Sequence, residues 1–371
     1  IFHQRWNRGL QALALAMPNL CSLILGSIDS DERPLEALSS TSIFQQLRKL
    51  DLYRVTLGVE SMSALVRSSF PHLRELKLDG CYYSGTPEMI VLAQGSFPAL
   101  TELSLAQNNL EDEALCELLQ ADFLPQLVKW DLGFNSIGDE ALQEIAGCEL
   151  SNLQSLSLDF TQAGSRGMTV LADSPNLGNL KSLDLAYVDI GDLGAQALAE
   201  STTMTKLVRL GLQGIGCGDE SVIALAESDS MKHLLDLCFY ENRVSPKGIK
   251  ALCQATFASC LADLSLDVNP IGDEGAELLA SSNLRLHRLG ISRADVSDRG
   301  VIALARSPVV RYLFALNLRD NPLTDLAAQA LIDSPYLTHL GRLYLQQTRV
   351  SDTMRHALCE RFESQVTEIQ F

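Results

Sequence analysis

The stretch LADLSLDVNPIGDEGAELLA, residues 261–280, contains every element from which the rest of the chain is built. Its first half places Leu261, Leu264 and Leu266 on one side, as in a short strand that runs into a turn. After an acidic start, the apolar residues of its second half recur at helical spacing. The stretch therefore predicts one strand, one turn and one helix. Because neither element can bury its apolar face alone, such repeats must stack on one another.

The same pattern returns along the whole sequence at intervals of about 25 to 27 residues. Each copy follows L-x-x-L-x-L-x-x-[N/C/T/V]-x-[L/I/V] or a close variant, which is too frequent for chance. The first position of each repeat is held by Leu20, Leu47, Leu73, Leu100, Leu127, Leu153, Leu180, Leu207, Leu234, Leu261, Leu286, Leu313, Leu340 and Val366.

This pattern resembles that of the leucine-rich-repeat proteins over nearly the whole chain. The helical halves GDEALQEIA, GDLGAQALAE and SDRGVIALARS resemble the ribonuclease-inhibitor-like class of these proteins. The joints SPNLGNLKSLDL and SPYLTHLGRLYL, with the ending ALCERFESQV, further resemble bacterial members. The resemblance implies an α/β solenoid, a right-handed horseshoe with a parallel sheet on its concave face and helices on its convex face.

The repeat pattern also predicts how the chain is divided. Residues 18–371 are expected to form the solenoid, and residues 1–17 an N-terminal cap or the remainder of a preceding repeat. Trp6, Leu10, Leu13 and Met17 lie at helical intervals in that segment. Because the chain opens inside this pattern and without a Met, we expect it to be a piece of a larger protein.

The formal net charge of −17 has a structural interpretation. Acidic residues stand at nearly every expected helix start, including Asp139, Asp192, Asp273 and Asp325, where they face the positive end of the helix dipole. The alternative is that the charge selects basic partners. In either case the composition argues against phosphate-directed binding of nucleic acid, which needs clustered Lys and Arg.

The nine cysteines show no metal-ligand spacing, and an odd number favours reduced thiols in a cytoplasmic protein. Cys81 replaces the turn asparagine found at Asn108 and Asn135, which predicts a small buried residue there. Trp130 stands where other repeats place an aliphatic residue and is interpreted as core. No apolar run is long enough to span a membrane.

The search for catalytic chemistry is negative. The six histidines are far apart, and none has a nucleophile or carboxylate partner in a known motif. The glycine-rich run at 211–220 follows the repeat phase, so it is interpreted as strand and helix start rather than a phosphate loop. We therefore expect no catalysis, no cofactor and no metal, and a monomer that binds neither nucleic acid nor membrane.

The repeat register predicts a binding surface. Side chains at the third, fifth and seventh positions should point out from the sheet onto the concave face, with the eighth position beside them. The aromatic residues of three consecutive eighth positions should form one ridge next to carboxylates, a typical composition of binding surfaces. Gly211 and Gly214 should leave a dent further along, and the face should become more basic toward its end. The candidate partner-binding residues are Asp131, Phe134, Asp159, Phe160, Asp184, Tyr187, Tyr240, Arg293 and Arg319.

Two classes of function follow from these observations. The first is a non-catalytic module that binds a protein partner on its concave face. The alternative is a regulator of a small GTPase, with Arg54 and Arg293 as loop candidates, or the sensing half of a larger signalling protein.

Overall fold

The computed structural model describes residues 19–28, 43–81, 85–363 and 367–371, together with positions 12, 16, 17, 35 and 39. Most of the predicted N-terminal cap, including Trp6, Leu10 and Leu13, lies outside the described residues, as does Val366. The chain forms two compact units, residues 1–183 and 184–371.

Short parallel strands run through both units. Those of the first unit are β1 (Ser22–Ile28), β2 (Lys49–Val55), β3 (Glu75–Lys77), β4 (Glu102–Ser104), β5 (Lys129–Asp131) and β6 (Ser155–Ser157), and β7 (Ser182–Asp184) stands at the boundary. Those of the second unit are β8 (Arg209–Gly211), β9 (Asp236–Cys238), β10 (Asp263–Ser265), β11 (Arg288–Gly290), β12 (Ala315–Asn317), β13 (Arg342–Tyr344) and β14 (Glu368–Gln370).

Helices alternate with these strands. In the first unit they are α1 (Val59–Arg67), α2 (Thr86–Ala93), α3 (Asp112–Leu118), α4 (Asp139–Gly147) and α5 (Ser165–Ala172). In the second unit they are α6 (Gly191–Glu200), α7 (Asp219–Glu227), α8 (Pro246–Gln254), α9 (Gly272–Ala280), α10 (Asp298–Ala305), α11 (Asp325–Ile332) and α12 (Asp352–Phe362). The predicted fold class, a leucine-rich-repeat solenoid of parallel strands and helices, is confirmed.

The register aligns the inward residues of neighbouring repeats. In the first unit Leu103 pairs with Trp130, which pairs with Leu156. In the second unit Leu264 lies between Leu237 and Leu289. All of these side chains are buried. Each repeat thus extends the apolar layer of the one before it, and the prediction that Trp130 belongs to the core is confirmed.

Buried amides fix the turns that follow the strands. Asn108 accepts a hydrogen bond from the backbone N–H of Cys81 and donates to the carbonyls of Leu78 and Leu105. Asn269 makes a corresponding set of contacts in the second unit. Because a buried amide without partners costs roughly 1–3 kcal/mol, these bonds hold the turns in register. Cys81 is fully buried, as predicted.

The acidic residues at helix starts contact the next helix along the chain. Asp273 accepts hydrogen bonds from the backbone N–H groups of Ser297 and Gly300, at 2.8 and 3.0 Å, and from the Ser297 hydroxyl. Asp139 likewise accepts from Gly164 and Gly167. The predicted starts at Asp139, Asp192, Asp273 and Asp325 are confirmed to within one residue. The sequence did not reveal that each carboxylate completes the start of the following helix rather than only its own.

Among the described residues, no helix combines the length and the apolar character needed to cross a membrane.

Candidate functional site

Opposite charges alternate across strands on the solvent-facing side of the sheet. In the first unit, Lys129 pairs with Glu102 at 3.0 Å. In the second, Arg288 lies 3.6 Å from Asp263, and Arg342 lies 3.6 Å from Glu368. Exposed pairs of this kind add little stability, but they offset part of the positive charge that was predicted for the late repeats.

The eighth position has a left-handed backbone in the twelve repeats from the one that begins at Leu47 to the one that begins at Leu340. In the repeat that begins at Leu20, the eighth residue, Ser27, belongs to β1 instead. Within each unit, the N–H at most of these positions donates to the carbonyl of the seventh residue in the next repeat, as between Phe134 and Asp159 at 2.7 Å. Left-handed geometry is unfavourable for residues other than Gly, so this bond and the packed turn must hold it. The residues concerned are Arg54, Gly80, Gln107, Phe134, Phe160, Tyr187, Gly214, Glu241, Val268, Arg293, Asp320 and Gln347.

This geometry brings two of the predicted aromatic residues together on the first unit. The rings of Phe134 and Phe160 are stacked, with centroids 4.3 Å apart and planes inclined by 15°. Both side chains remain exposed, at 44% and 43%. Since the left-handed backbone sends both side chains out of the turn, they form a fixed apolar surface that water contacts.

Carboxylates lie next to the stacked rings. Asp159 accepts a 2.6 Å hydrogen bond from the Ser157 hydroxyl, and its carboxylate occupies the space where Gly133 lacks a side chain. Asp131 accepts from the backbone N–H of Gly133 at 3.0 Å. Both carboxylates therefore have fixed orientations on the solvent side of the sheet.

A depression of about 300 Å³ opens on the same face of the first unit. Four acidic side chains line it, against two lysines, so its charge is net negative. Serine hydroxyls complete its wall. The polar lining residues include Glu75, Lys77, Asp79, Glu102, Lys129, Asp131, Ser155 and Ser157.

Tyr187 belongs to the second unit, where its ring lies against Gly214. Its hydroxyl donates a 2.9 Å hydrogen bond to Glu241. Burial and this hydrogen bond raise the pKa of the Tyr187 hydroxyl to about 12. Asp184 occupies the space over Gly211 in the same way. The predicted dent at these two glycines is therefore wrong, because side chains of the preceding repeat fill it.

The other candidates of the second unit are placed separately. Tyr240 is half-buried, while Arg293 and Arg319 are exposed on neighbouring repeats, joined by a 3.0 Å backbone hydrogen bond. A depression of about 330 Å³ lies on this unit's sheet and is lined by Asp236, Asp263 and Asp267, among others. Burial and repulsion by Asp263 raise the pKa of Asp236.

Sequence reasoning missed Asp267 as a structural centre of this second depression. It is buried and accepts hydrogen bonds from the Ser265 hydroxyl, the Ser292 N–H and the Asn317 amide. A glycine at Gly290 leaves room for the carboxylate. Asp159 lies over Gly133 in the same way, so a glycine at or just after the strand of an adjacent repeat was a usable signal in both cases.

Comparisons with known proteins agree with this architecture. A family model described as leucine-rich repeat matches residues 125–146, 179–199 and 258–280. No curated protein matches the chain. The fold is similar to that of an internalin from Listeria monocytogenes, at 19% identity and a TM-score of 0.58, covering 98% of this chain and 94% of that one. It is also similar to a chain of the yeast Rad7 and Elc1 complex, at 18% identity and a TM-score of 0.54, covering 95% and 90%.

Proposed function

We propose that the chain is a non-catalytic interaction module whose first unit binds a basic segment of another protein on the solvent face of its sheet. The observation that carries this proposal is the exposed Phe134 and Phe160 stack beside a depression of net negative charge. The structurally similar yeast chain comes from a complex of Rad7 with Elc1, which is in keeping with a protein-binding role.

The stack has the properties of an affinity anchor. Aromatic side chains dominate the energy of many interfaces because they bury a large area and lose little conformational freedom. Here the ring planes are already close to parallel and the backbone is held by the turn. A partner side chain that covers Phe134 and Phe160 therefore removes apolar surface from water without having to order the rings first.

The carboxylates determine which partners are favoured, because they attract basic side chains. A Lys or Arg side chain lying on a phenyl face gains a cation–π interaction, and it can also reach the acidic groups of the depression. Asp131 belongs to the repeat that carries Phe134, and Asp159 directly precedes Phe160 in the next repeat. Opposite charges at the rim of an interface act mainly on the association rate and make it dependent on salt.

The proposal is tested by recovering the binding partner with the tagged wild-type chain and then measuring the affinity of the purified pair. We expect Phe134→Ala and Phe160→Ala each to weaken binding by about 1–3 kcal/mol. Asp131→Asn and Asp159→Asn should slow association and reduce its salt dependence.

Two control variants make the result specific. Gln107→Ala changes another left-handed eighth position, and Glu144→Ala changes a residue of α4, away from the sheet face. Both should bind as the wild type does. If Glu144→Ala abolishes binding while a chain with both Phe134→Ala and Phe160→Ala binds normally, the sheet face is not the binding surface.

A further inference from the structure

The second unit carries another exposed surface, at the edge where its strands begin. We call it the strand-start edge and define it by the second-position residues of successive repeats. Their backbones are joined by hydrogen bonds of 2.6 to 2.9 Å from each residue to the one before it, so they form a continuous row. The residues are Val208, Leu235, Ala262, His287, Phe314 and Gly341.

Large apolar side chains are exposed along this row. Leu235 is 44% exposed and Phe314 is 43% exposed. The corresponding positions of the first unit are mostly polar: Arg48, Arg74, Thr101, Val128, Gln154 and Lys181. Since the strand register is the same in both units, strand geometry alone does not require apolar residues at these positions.

Phe314 is held in place although it is exposed. Its ring covers Gly341, where a Cβ atom would lie within 2.1 Å of the ring. The guanidinium of Arg342 lies 5.9 Å from the ring centroid. Gly341 thus leaves the space that the ring occupies and the Arg342 guanidinium lies over the ring, so both neighbours hold the ring in one orientation.

Further aromatic and arginine side chains stand near Phe314 in its own repeat and in the next one. Tyr312 is 46% exposed, and the Arg311 guanidinium lies 5.5 Å from the centroid of the Tyr336 ring. Tyrosine and arginine are among the residue types most enriched at positions that dominate interface energies. The cluster Arg311, Tyr312, Phe314, Tyr336 and Arg342 therefore has the composition of a binding hot spot.

The strand-start edge is basic in an otherwise acidic chain. In six repeats of this unit, we compare the nine residues that end at the third position of the repeat, where the strand begins. Together these segments contain more basic than acidic residues. Three of the arginines are each within 4.0 Å of a carboxylate: Arg209 of Asp236, Arg288 of Asp263 and Arg342 of Glu368. The basic excess therefore comes from other residues, among them Arg285 and Arg311. The basic residues are Lys206, Arg209, Lys232, Arg285, Arg288, Arg311 and Arg342, and the acidic ones are Asp229, Asp236 and Asp263.

We propose that the strand-start edge of the second unit binds an acidic peptide segment of another protein that carries bulky apolar side chains. The apolar groups cover Phe314 and Leu235. The carboxylates accept hydrogen bonds from Arg285 and Arg311, each of which can donate two parallel N–H groups to one carboxylate. This surface lies at the edge of the strands and selects the opposite charge, so it is independent of the sheet-face function proposed above.

Strand spacing specifies a suitable probe. Leu235 and Phe314 belong to strands three steps apart, which corresponds to about 14 Å. An extended peptide covers that distance in about four residues. The fluorescein-labelled peptide Glu-Glu-Phe-Glu-Glu-Glu-Leu-Glu-Glu therefore places its apolar side chains over both sites. The comparison peptides replace every Glu by Lys, or Phe and Leu by Ser.

The test is fluorescence anisotropy with the full chain. We expect the acidic apolar peptide to bind, and either comparison peptide to bind at least about tenfold more weakly. The variants Phe314→Ala/Leu235→Ala and Arg285→Glu/Arg311→Glu should each weaken the acidic peptide about tenfold or more. Val128→Ala, at the same position of the first unit, should have no effect. Urea melts of each variant show whether the fold is retained.

Several results would overturn the proposal. One is that the acidic peptide does not bind the wild type. Another is that the peptide binds both double variants as tightly as it binds the wild type. A third is that phosphatidylserine vesicles bind through these residues while the peptide does not. Phe134→Ala/Phe160→Ala should bind the peptide normally. Loss of binding in that variant would instead place the peptide on the first unit, so failure here and failure of the sheet-face function are distinguishable.

Discussion

The Tyr187 hydroxyl reaches across one complete repeat and donates a hydrogen bond to the Glu241 carboxylate, with 2.9 Å between the two oxygens. The repeat between them contributes Gly214, whose missing side chain leaves the space that the ring occupies. A contact of this span adds a next-nearest-neighbour interaction to a solenoid in which repeats otherwise contact mainly adjacent repeats.

The Tyr187 hydroxyl should make stability depend on alkaline pH. Its pKa in the folded protein, about 12, lies above the ordinary value of 10.0, so folding favours the protonated group. The stability contribution is complete below pH 10 and is lost as the pH rises through about 12. Tyr187→Phe should lower the free energy of unfolding by at most about 1 kcal/mol near neutral pH, because the site is partly exposed. Urea melts of both proteins should show this difference closing across the same pH range. A constant difference would contradict the assignment.

Acid should weaken the contacts between helix starts. Burial opposes ionisation of Asp273, but hydrogen bonds from Ser297 and Gly300 outweigh it and hold its pKa below the ordinary value of 3.8. The contribution is therefore present above 3.8 and lost as the pH falls through the lower folded value. Asp273→Asn should cost about 1–3 kcal/mol near neutral pH and progressively less in acid, as followed by urea unfolding. Glu274→Gln, at an exposed neighbour, is the control and should change stability little.

Two glycines at helix starts should respond differently to alanine. Gly272 has a φ of +58° and open space where a Cβ would stand, whereas Gly218 has a φ of −128°. Gly272→Ala should lower the unfolding free energy by about 1–2 kcal/mol, because alanine disfavours the left-handed backbone but meets no side-chain clash. Alanine at 218 should be neutral or slightly stabilising, since it restricts the unfolded chain. Equal losses of unfolding free energy in the two variants would show that φ is not the cause.

The buried indole of Trp130 has no hydrogen-bond acceptor for Nε1 among the described residues. An unsatisfied buried donor costs about 1–3 kcal/mol, which partly offsets the packing of the ring. Trp130→Phe should therefore change the unfolding free energy by less than about 1.5 kcal/mol. Trp130→Ala should cost about 3–5 kcal/mol through the cavity it leaves. The interpretation fails if phenylalanine is as destabilising as alanine.

The repeat phase predicted the strands, the inward leucines and the helix starts because each depends on a local periodicity. The tripeptide Ile-Gly-Asp shows where such reasoning stops. At 137–139 its glycine has a φ of −111° and donates to Asp112. At 271–273 its glycine is left-handed and donates to the carbonyl of Ala294. The preceding repeat has Pro246 where Asp112 would stand, so the conformation is decided about one repeat upstream.

The candidate site was predictable only in part. Register alone placed Phe134 and Phe160 on adjacent repeats, and their stacking confirms that they are neighbours. The left-handed backbone of the eighth position was not readable, because Phe, Tyr and Val residues disfavour it and Gly occupies it in few repeats. For the same reason the sequence did not show that Tyr187 would turn toward Glu241. These outcomes depend on backbone hydrogen bonds to the next repeat, which residue identities do not encode.

The carboxylates at the helix starts also give the repeats a polarity. The acceptor that completes the start of α10 belongs to α9, and the acceptor for α11 belongs to α10. Removing repeats from the carboxyl end therefore leaves each remaining helix start of this series with its carboxylate acceptor. Removing them from the amino end exposes unbonded N–H groups on the first helix that survives. This order coincides with that of translation, in which each new helix emerges beside an acceptor that has already been synthesised.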